Sequence, residues 1–255
     1  MDPRINRENV VQILFETFNV PAEYISNQAV TSLIASEMDS GVAVCLGNKN
    51  SSVVPVISKR HLSFATKNFE LAGQAISDFI SRVITERGFK TSQGRIDELK
   101  HEFSCVSLDL EKEMKSFSQI EKKFEDGVVI LVGEERYQAP EILFDPSIIG
   151  YEQPGIHKLV FDSVMSCEES IQSELFSKIV LQGGTSLIPG IAERLQIELE
   201  ALVPKETKVV VSSPLNRKES AWIGASILSS SPGFEDILVS TDEYNEHGPI
   251  VSRLM

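Results

Sequence analysis

The sequence predicts an α/β fold, and three observations lead to this prediction. Short apolar runs that are typical of buried strands alternate along the chain with helical patterns. The chain has 255 residues, which is long enough to bury a sizeable core. Hydrophobic residues make up 42% and charged residues 24% of the chain, as in ordinary soluble globular proteins.

The chain begins with two helical patterns and continues into a hairpin. A helix is predicted over Asn6–Thr17, and Pro21 ends it because the residue before a proline is biased away from helical geometry. A second helix is predicted over Glu23–Ser36. The turn residues "LGNKNS" then separate two apolar runs, so strands are predicted over Val42–Cys45 and Val53–Ile57.

The middle of the chain is predicted to contain helices followed by a second hairpin. One helix starts after Ala72, and Gly88 is placed to end it. A helical stretch over Asp97–Cys105 follows. The segment "FEDGVVILVGEERYQAPEILF" then predicts a hairpin with Asp126–Gly127 as its turn and a proline-led exit.

The last hundred residues alternate helices with short strands. The predicted elements are helices over Ile156–Ser166 and Ser170–Leu175, a strand over Ile179–Leu181, a helix over Pro189–Ala201, a strand over Lys208–Ser212 and a helix over Glu219–Ser229, before a short polar tail from Ser240. In "KIVLQGGTSLIPGIAERL" a glycine pair joins strand to helix. This layout either brings backbone N–H groups close to an anionic or flat ligand or only permits a tight turn.

Charge, cysteines and histidines narrow the classes of function. The formal net charge is −13, which argues against nonspecific binding to nucleic acid or anionic lipid, so neither partner is expected. No apolar run approaches the roughly 18 residues of a membrane span. The three cysteines are far apart and are expected to be reduced thiols, and the four histidines show no metal-ligand spacing.

Several long segments resemble actin, in actin's order and at close to its spacing. They are "QILFETFNVPAEYISNQAVTSLIAS", "LAGQAISDFISRVITERGF", "EERYQAPEILFDPSIIGYEQPGIHK", "IVLQGGTSLIPGIAERLQIELEALVP", "RKESAWIGASILSS" and "DEYNEHGP". Because they span nearly the whole chain, the sequence is identified as a member of the actin family. The resemblance implies the actin-like ATPase fold, which is ribonuclease-H-like, with actin's larger lobe and a remnant of its smaller lobe.

The resemblance also implies three parts of the chain. Residues 36–71 and 152–218 are expected to build the ribonuclease-H-like sheet domain. Residues 72–151 are expected to form an inserted helical and hairpin subdomain. Residues 1–35 and 219–255 are expected to pack together as the remnant of the first actin subdomain.

The chain departs from actin at the two places where phosphate would bind. It starts after the part of actin that carries the first phosphate hairpin, which indicates a shortened protein or, alternatively, a fragment of a longer one. The second hairpin reads Cys45, Leu46, Gly47, Asn48 and Lys49 where the family has Asp-Ser-Gly-Asp-Gly, so only the glycine matches. Mg²⁺ needs hard oxygen ligands and both acidic residues are replaced, so neither magnesium binding nor ATP hydrolysis is expected.

The base side of the implied nucleotide site is retained better than the phosphate side. The resemblance assigns nucleotide contacts to Gly183, Gly184, Thr185, Ile188, Lys100 and Lys218. Ile188 stands in place of a larger aromatic residue and His101 in place of an acidic one, so binding of ATP or ADP is expected to be weak. Gln28 matches the glutamine that positions the attacking water in the family. Because the phosphate side of the site is altered, Gln28 alone is not expected to position a water for attack.

Two functions are consistent with these observations. The first is a divergent, shortened actin-family protein that acts as a non-catalytic component of the cytoskeleton or of an actin-related complex. Its partners would be actin, actin-related proteins or actin-binding proteins, in the cytoplasm or alternatively the nucleus. The other is an ATP-binding, polymerising actin homologue of which this sequence is a fragment. Apolar faces expected to be exposed on the helices at Asn6 and Glu219 favour the first function.

Overall fold

The main sheet contains both the first predicted hairpin and the strand before the glycine pair. In the computed structural model, which describes residues 3–253, the strands are β1 (Ala22–Glu23), β2 (Gly41–Leu46), β3 (Ser51–Ile57), β4 (Arg60–His61), β5 (Lys67–Phe69), β6 (Ile120–Lys123), β7 (Val129–Val132), β8 (Ile179–Gln182), β9 (Val211–Ser212) and β10 (Val239–Ser240). The main sheet has the order β4–β3–β2–β8–β9, and β5 also pairs with β3. Because β2 is antiparallel to β3 and parallel to β8, the sheet is mixed and the predicted hairpin is confirmed.

Helices surround this sheet, and together with it they confirm the predicted α/β class. They are α1 (Pro3–Gln12), α2 (Gln28–Ala35), α3 (Gly73–Glu86), α4 (Gln93–Phe103), α5 (Leu110–Ser116), α6 (Glu135–Glu141), α7 (Ile156–Met165), α8 (Glu169–Phe176), α9 (Ile191–Leu202), α10 (Ser220–Ser229) and α11 (Thr241–His247). A π-helical turn over Ile13–Thr17 and 3₁₀ turns over Pro146–Ile149, Gly184–Leu187, Phe234–Ile237 and Gly248–Arg253 connect or extend them.

Alternate residues of β2 point to opposite faces of the sheet, and both faces are covered. Val42, Val44 and Leu46 belong to the main hydrophobic core, which α3, α4, α7 and α9 complete. Ala43 and Cys45 pack on the other face in a smaller cluster with residues of α2. Because β2 is buried on both faces, its sequence is a nearly continuous apolar run and does not alternate.

Helix α10 approaches α2 unusually closely. A Cβ atom on Gly224 of α10 would lie 1.6 Å from the carbonyl oxygen of Thr31 in α2, so only glycine fits at this contact. One turn earlier in α10, the buried hydroxyl of Ser220 donates a hydrogen bond to the Ser32 hydroxyl at 3.0 Å. The contact therefore fixes the start of α10 against α2.

A separate hydrophobic cluster joins the two ends of the described chain. Val11 and Phe15 pack there with Val239, Tyr244 and Val251. The rings of Phe15 and Tyr244 stack with their centroids 4.5 Å apart, and β1 pairs with β10 beside them. Residues that are distant in the sequence thus form one small layer. The boundaries expected for the three parts of the chain stay a prediction.

The start of the second helix was predicted wrongly. Helix α2 begins at Gln28 and not at Glu23, because the Asn27 side chain accepts a hydrogen bond from the Ala29 N–H and so caps the helix there. Glu23, the residue predicted to start this helix, instead belongs to β1, which pairs with β10. Pairing with a strand more than two hundred residues away overrides the local helical pattern.

Two further helices lie where the sequence indicated a hairpin exit and a polar tail. Helix α6 is anchored by Glu135, whose buried carboxylate binds both terminal nitrogens of the Arg87 guanidinium at 2.8 Å. Helix α11 starts with a capping box in which Ser240 and Glu243 satisfy each other's backbone N–H groups. The second predicted hairpin itself is confirmed, since β6 pairs with β7 around the Asp126–Gly127 turn.

Candidate functional site

A tight turn joins β2 to β3 and lies against the start of α3. The Gly47 N–H donates to the Asn50 carbonyl oxygen at 3.2 Å, so this N–H is used inside the turn. The Gly47 carbonyl accepts from the Gly73 N–H at 3.0 Å and from the Thr185 hydroxyl at 2.7 Å. The carbonyl of the next turn residue accepts from the next N–H of α3 at 2.6 Å. The turn thus satisfies the first N–H groups of that helix.

The side chains that stand in place of the family's aspartate and serine face the interior. Cys45 is 5% exposed and its Sγ accepts a hydrogen bond from Gln182 Nε2, while Leu46 is 1% exposed. Burial raises the pKa of the Cys45 thiol to about 11, so the thiol is neutral at pH 7. A neutral thiol and an aliphatic side chain offer no hard anionic ligand to Mg²⁺.

Gly183 lets the end of β8 approach the turn. Its φ is +90°, and a Cβ atom there would lie 2.4 Å from the Leu46 carbonyl oxygen, so any side chain meets both strain and a clash. The Gly183 N–H donates to the Arg217 carbonyl at 2.8 Å, which brings the segment before α10 to the same place. Gly184, in contrast, has open space at its Cβ position, so the packing requires only the first glycine of the pair.

Two residues assigned to the nucleotide by resemblance are buried in the protein. The Thr185 hydroxyl is held by the turn, and Ile188 belongs to the main hydrophobic core. No signal in the single sequence distinguishes this packing role from a role in a pocket wall, because both require an apolar or small residue after the glycine pair.

Lys100 is also buried, and it holds the start of α3. Its Nζ donates to the Ser77 hydroxyl at 2.8 Å and to the Gly73 carbonyl at 3.2 Å. Burial tends to raise the pKa of the neighbouring Asp97, but the hydrogen bond from Ser77 and the charge of Lys100 outweigh burial and keep this pKa below its ordinary value. A charged pair thus stabilises the junction of α3 and α4.

A polar cavity of about 300 Å³ lies between the turn, Gly183 and the segment that leads into α10. Of the six residues assigned to the nucleotide, Gly183 and Lys218 line it. The other polar side chains in its wall are Gln28, Asn48, Asn50, Gln182, Arg217 and Ser220. Cys45 and Leu46 also line it, and no aspartate or glutamate among the described residues does. The sequence interpretation did not assign Arg217 or Asn50 to the site. The only sequence feature that could have indicated them is their position, since Arg217 precedes Lys218 and Asn50 ends the turn.

An apolar groove of about 600 Å³ adjoins this cavity on the other side of Gln28 and Ala221. Helix α10 forms one wall with Trp222, which is 74% exposed, and Tyr24 and Phe234 lie opposite. Exposed apolar side chains also lie on α1 and at its end, namely Ile5, Val10, Ile13 and Phe18. The outer faces of α1 and α10 therefore present apolar surface.

Within residues 3–253, no group of three or more histidine, cysteine, aspartate or glutamate side chains is arranged to hold a metal ion. No helix in that part of the chain is both long and apolar enough to cross a membrane.

Two comparisons agree on the class of protein that this fold and cavity define. The family model described as Actin matches residues 1–93 and 89–253. An actin-like protein from Neurospora crassa is 37% identical over 263 residues, which cover 98% of this chain and 69% of that protein. The chain belongs to the actin family, and its mixed sheet is that of the actin-like ATPase fold.

Proposed function

We propose that this protein is a non-catalytic interaction component of the cytoskeleton or of an actin-related complex. One observation carries the proposal. The end of β2 that leads into the β2–β3 turn, where the family binds phosphate and magnesium, holds a buried neutral thiol at Cys45 and a buried Leu46. Phosphoryl transfer needs the charge on the transferred group to be neutralised by a metal or by positioned donors. Neither the thiol nor the leucine does this.

The backbone of the same turn supports the proposal. The Gly47 N–H, which belongs to the matched glycine, donates to Asn50, and the Gly47 carbonyl accepts from two donors. A turn locked in this way has one backbone donor fewer to offer a phosphate. Gln28 lines the cavity, so its side chain can contact a ligand, but we expect no metal-bound phosphate for it to act upon.

For nucleotides, the proposal is weak contact with ATP or ADP and no resident magnesium. Lys218 and Gly183 line the polar cavity, while Lys100, Thr185 and Ile188 are engaged in packing. The expected location is the cytoplasm and its cytoskeleton, with the nucleus as the alternative.

An interaction role is supported by the exposed apolar surface of α10. Exposed apolar patches of this kind mark interaction sites on soluble proteins. We propose actin, actin-related proteins or actin-binding proteins as partners, since these are the proteins with which members of the family assemble. Trp222 is the side chain in the groove with the largest apolar surface to bury.

Cosedimentation with purified actin filaments tests this role. Binding is expected for the wild type and is expected to fall about tenfold or more for Trp222→Ser, as for a central aromatic anchor. Leu215→Ser is the matched control, because Leu215 is 93% exposed and lies outside the groove. Equal loss in both variants, or no binding by the wild type to actin or to any actin-related or actin-binding protein tested, would count against the proposal.

A further inference from the structure

We propose that Glu23 is a pH-sensitive latch that keeps the terminal cluster closed only while its carboxyl group is protonated. The terminal cluster, which joins the two ends of the described chain, consists of Val11, Phe15, Val239, Tyr244 and Val251. When the carboxyl group ionises, the cluster has to open so that water can reach the charge. Such a latch goes beyond the proposed function and does not depend on which partner or ligand the protein binds.

The Glu23 side chain is buried and has no partner. Glu23 is 8% exposed, and neither of its carboxyl oxygens has a hydrogen-bond partner among the described residues. The other two glutamates buried in that part of the chain, Glu135 and Glu141, are each bound through both oxygens by an arginine guanidinium. Burying a carboxylate without such a partner is costly, so the closed cluster favours the protonated carboxyl group.

The Glu23 side chain points toward the terminal cluster. In β1, Glu23 lies opposite Val239 of β10, which belongs to the cluster. Successive side chains of an extended backbone point to opposite sides. Tyr24 lines the apolar groove at α10, and Ile25, two positions after Glu23, packs against the terminal cluster. The carboxyl group therefore lies on the side of the apolar cluster and not at the groove.

The described charged groups around the cluster do not neutralise a carboxylate at Glu23. Burial, the hydrogen bond to Glu16 and the negative charges of Glu16 and Glu23 raise the pKa of Tyr244 to about 12, so its phenol stays neutral. Glu16 is exposed and accepts a hydrogen bond from the Tyr244 hydroxyl at 2.8 Å. Arg7 of α1 donates to the Ile25 carbonyl at 2.9 Å and not to Glu23. Strand β10 has no titratable side chain. The other titratable side chains described on α1 and α11, none of which pairs with Glu23, are Glu8, Asp242, Glu243, Glu246 and His247.

The direction of the pH effect follows from the burial of Glu23. Burial raises the pKa of this carboxyl group in the closed cluster above its ordinary value of 4.5. In the open cluster water reaches the group, and its pKa is ordinary. The closed state is therefore fully favoured below about pH 4.5, and this advantage is lost as the pH rises through the raised pKa of the closed state. Opening then exposes the rings of Phe15 and Tyr244, which stack on each other in the closed state.

Backbone hydrogen exchange of the full chain, followed by mass spectrometry between about pH 5 and pH 8, tests the latch. In the wild type, exchange of peptides that contain Phe15 or Tyr244, corrected for the intrinsic exchange rate, is expected to rise about tenfold or more with pH, since an unpaired buried charge is costly. Glu23→Gln, which stays neutral, is expected to remove this rise. The matched control is Glu246→Gln, at an exposed position of α11, which is expected to keep it. The amides of β2, which is buried on both faces, serve as the internal reference.

Glu23→Met is the second variant, because methionine has a similar length and needs no hydrogen bond. It is also expected to remove the rise with pH, and to exchange more slowly than Glu23→Gln at every pH, since the amide remains an unpartnered polar group. Three results would overturn the latch. They are corrected exchange in the wild type that does not change with pH, a rise that persists in both Glu23 variants, and a rise of the same size in the amides of β2.

Discussion

Gly224→Ala is the substitution for which helix propensity and packing predict opposite results. In an open helical position the change from glycine to alanine stabilises by about 1 kcal/mol. In α10 the new Cβ atom would lie 1.6 Å from the Thr31 carbonyl oxygen, which is about 2 Å closer than the roughly 3.5 Å of an ordinary nonbonded contact. The neighbour is backbone and cannot rotate away, so α10 has to move off α2.

The expected cost is a net loss of about 1–3 kcal/mol in the free energy of unfolding. Forcing extra volume into a packed contact costs about 1–3 kcal/mol. Displacement of α10 also breaks the buried hydrogen bond between Ser220 and Ser32, which contributes about 1 kcal/mol. The gain of about 1 kcal/mol in helix propensity offsets only part of this. At roughly 2–4 °C per kcal/mol, the melting temperature is expected to fall by about 2–12 °C.

Urea and thermal unfolding followed by circular dichroism measure this change. Fluorescence of Trp222, the only tryptophan, reports on α10 itself. Gly94→Ala is the matched control, because Gly94 lies in α4 with no atom within 4 Å of its Cβ position. It is expected to leave stability unchanged or slightly raised. A Gly224→Ala protein as stable as the wild type would refute the packing of α10 on α2.

Three further predictions concern the interior. Arg194→Met is expected to lower the free energy of unfolding, measured by urea titration, by about 3 kcal/mol or more. The reason is that the buried Glu141 carboxylate loses the guanidinium that binds both its oxygens. A loss under about 1 kcal/mol would contradict this. Burial lowers the pKa of His157, so its contribution to stability is complete above the unfolded pKa of about 6.5 and is lost as the pH falls below it. His157→Phe should therefore lose less stability between pH 7 and 5.5 than the wild type, and parallel pH curves would argue otherwise. In the native protein at pH 8, a thiol reagent should modify the half-buried Cys105 before Cys45, because burial raises the pKa of Cys45 to about 11. Equal rates of modification of the two cysteines, followed by mass spectrometry, would disprove the burial of Cys45.

The main elements of the sheet were predictable because their signals are local. The apolar run of β2, the "LGNKNS" turn and β3 follow one another in the sequence, and the structure pairs them from Gly41 with Val56 to Leu46 with Ser51. The Asp126–Gly127 turn and the end of α3 near Gly88 depend in the same way on residues within a few positions. The turn and helix-end signals among these are backbone preferences of glycine, asparagine or aspartate.

The elements that were missed depend on distant partners or on a signal that was overlooked. Glu23 lies in β1 because it pairs with Val239 of β10. Glu135 in α6 is held by an ion pair with Arg87, which is distant in the sequence. The helix in the tail is different, because Ser240 and Glu243 show the spacing of a capping box in the sequence itself.

The candidate site was only partly predictable, for a physical reason. The cavity draws its wall from α2, the β2–β3 turn, the end of β8 and the segment before α10, and a single sequence does not show which side chains of these segments meet. The resemblance indicated Gly183 and Lys218 in the wall, and it also indicated Lys100, which is buried in a hydrogen-bond network instead. Cys45 could be recognised as a replaced carboxylate, but its burial and neutral state depend on the packing of α2.

Release of inorganic phosphate from Mg-ATP by the purified chain tests the central claim most directly. The claim is that the end of β2 at Cys45 and Leu46, together with the turn that follows, does not support phosphoryl transfer. The account predicts release at the rate of a protein-free buffer, with and without conditions that assemble conventional actin, which serves as the positive control in the same assay. Release at the rate of that actin, lost in a Gln28→Ala variant, would show an active water-positioning glutamine and would contradict the account.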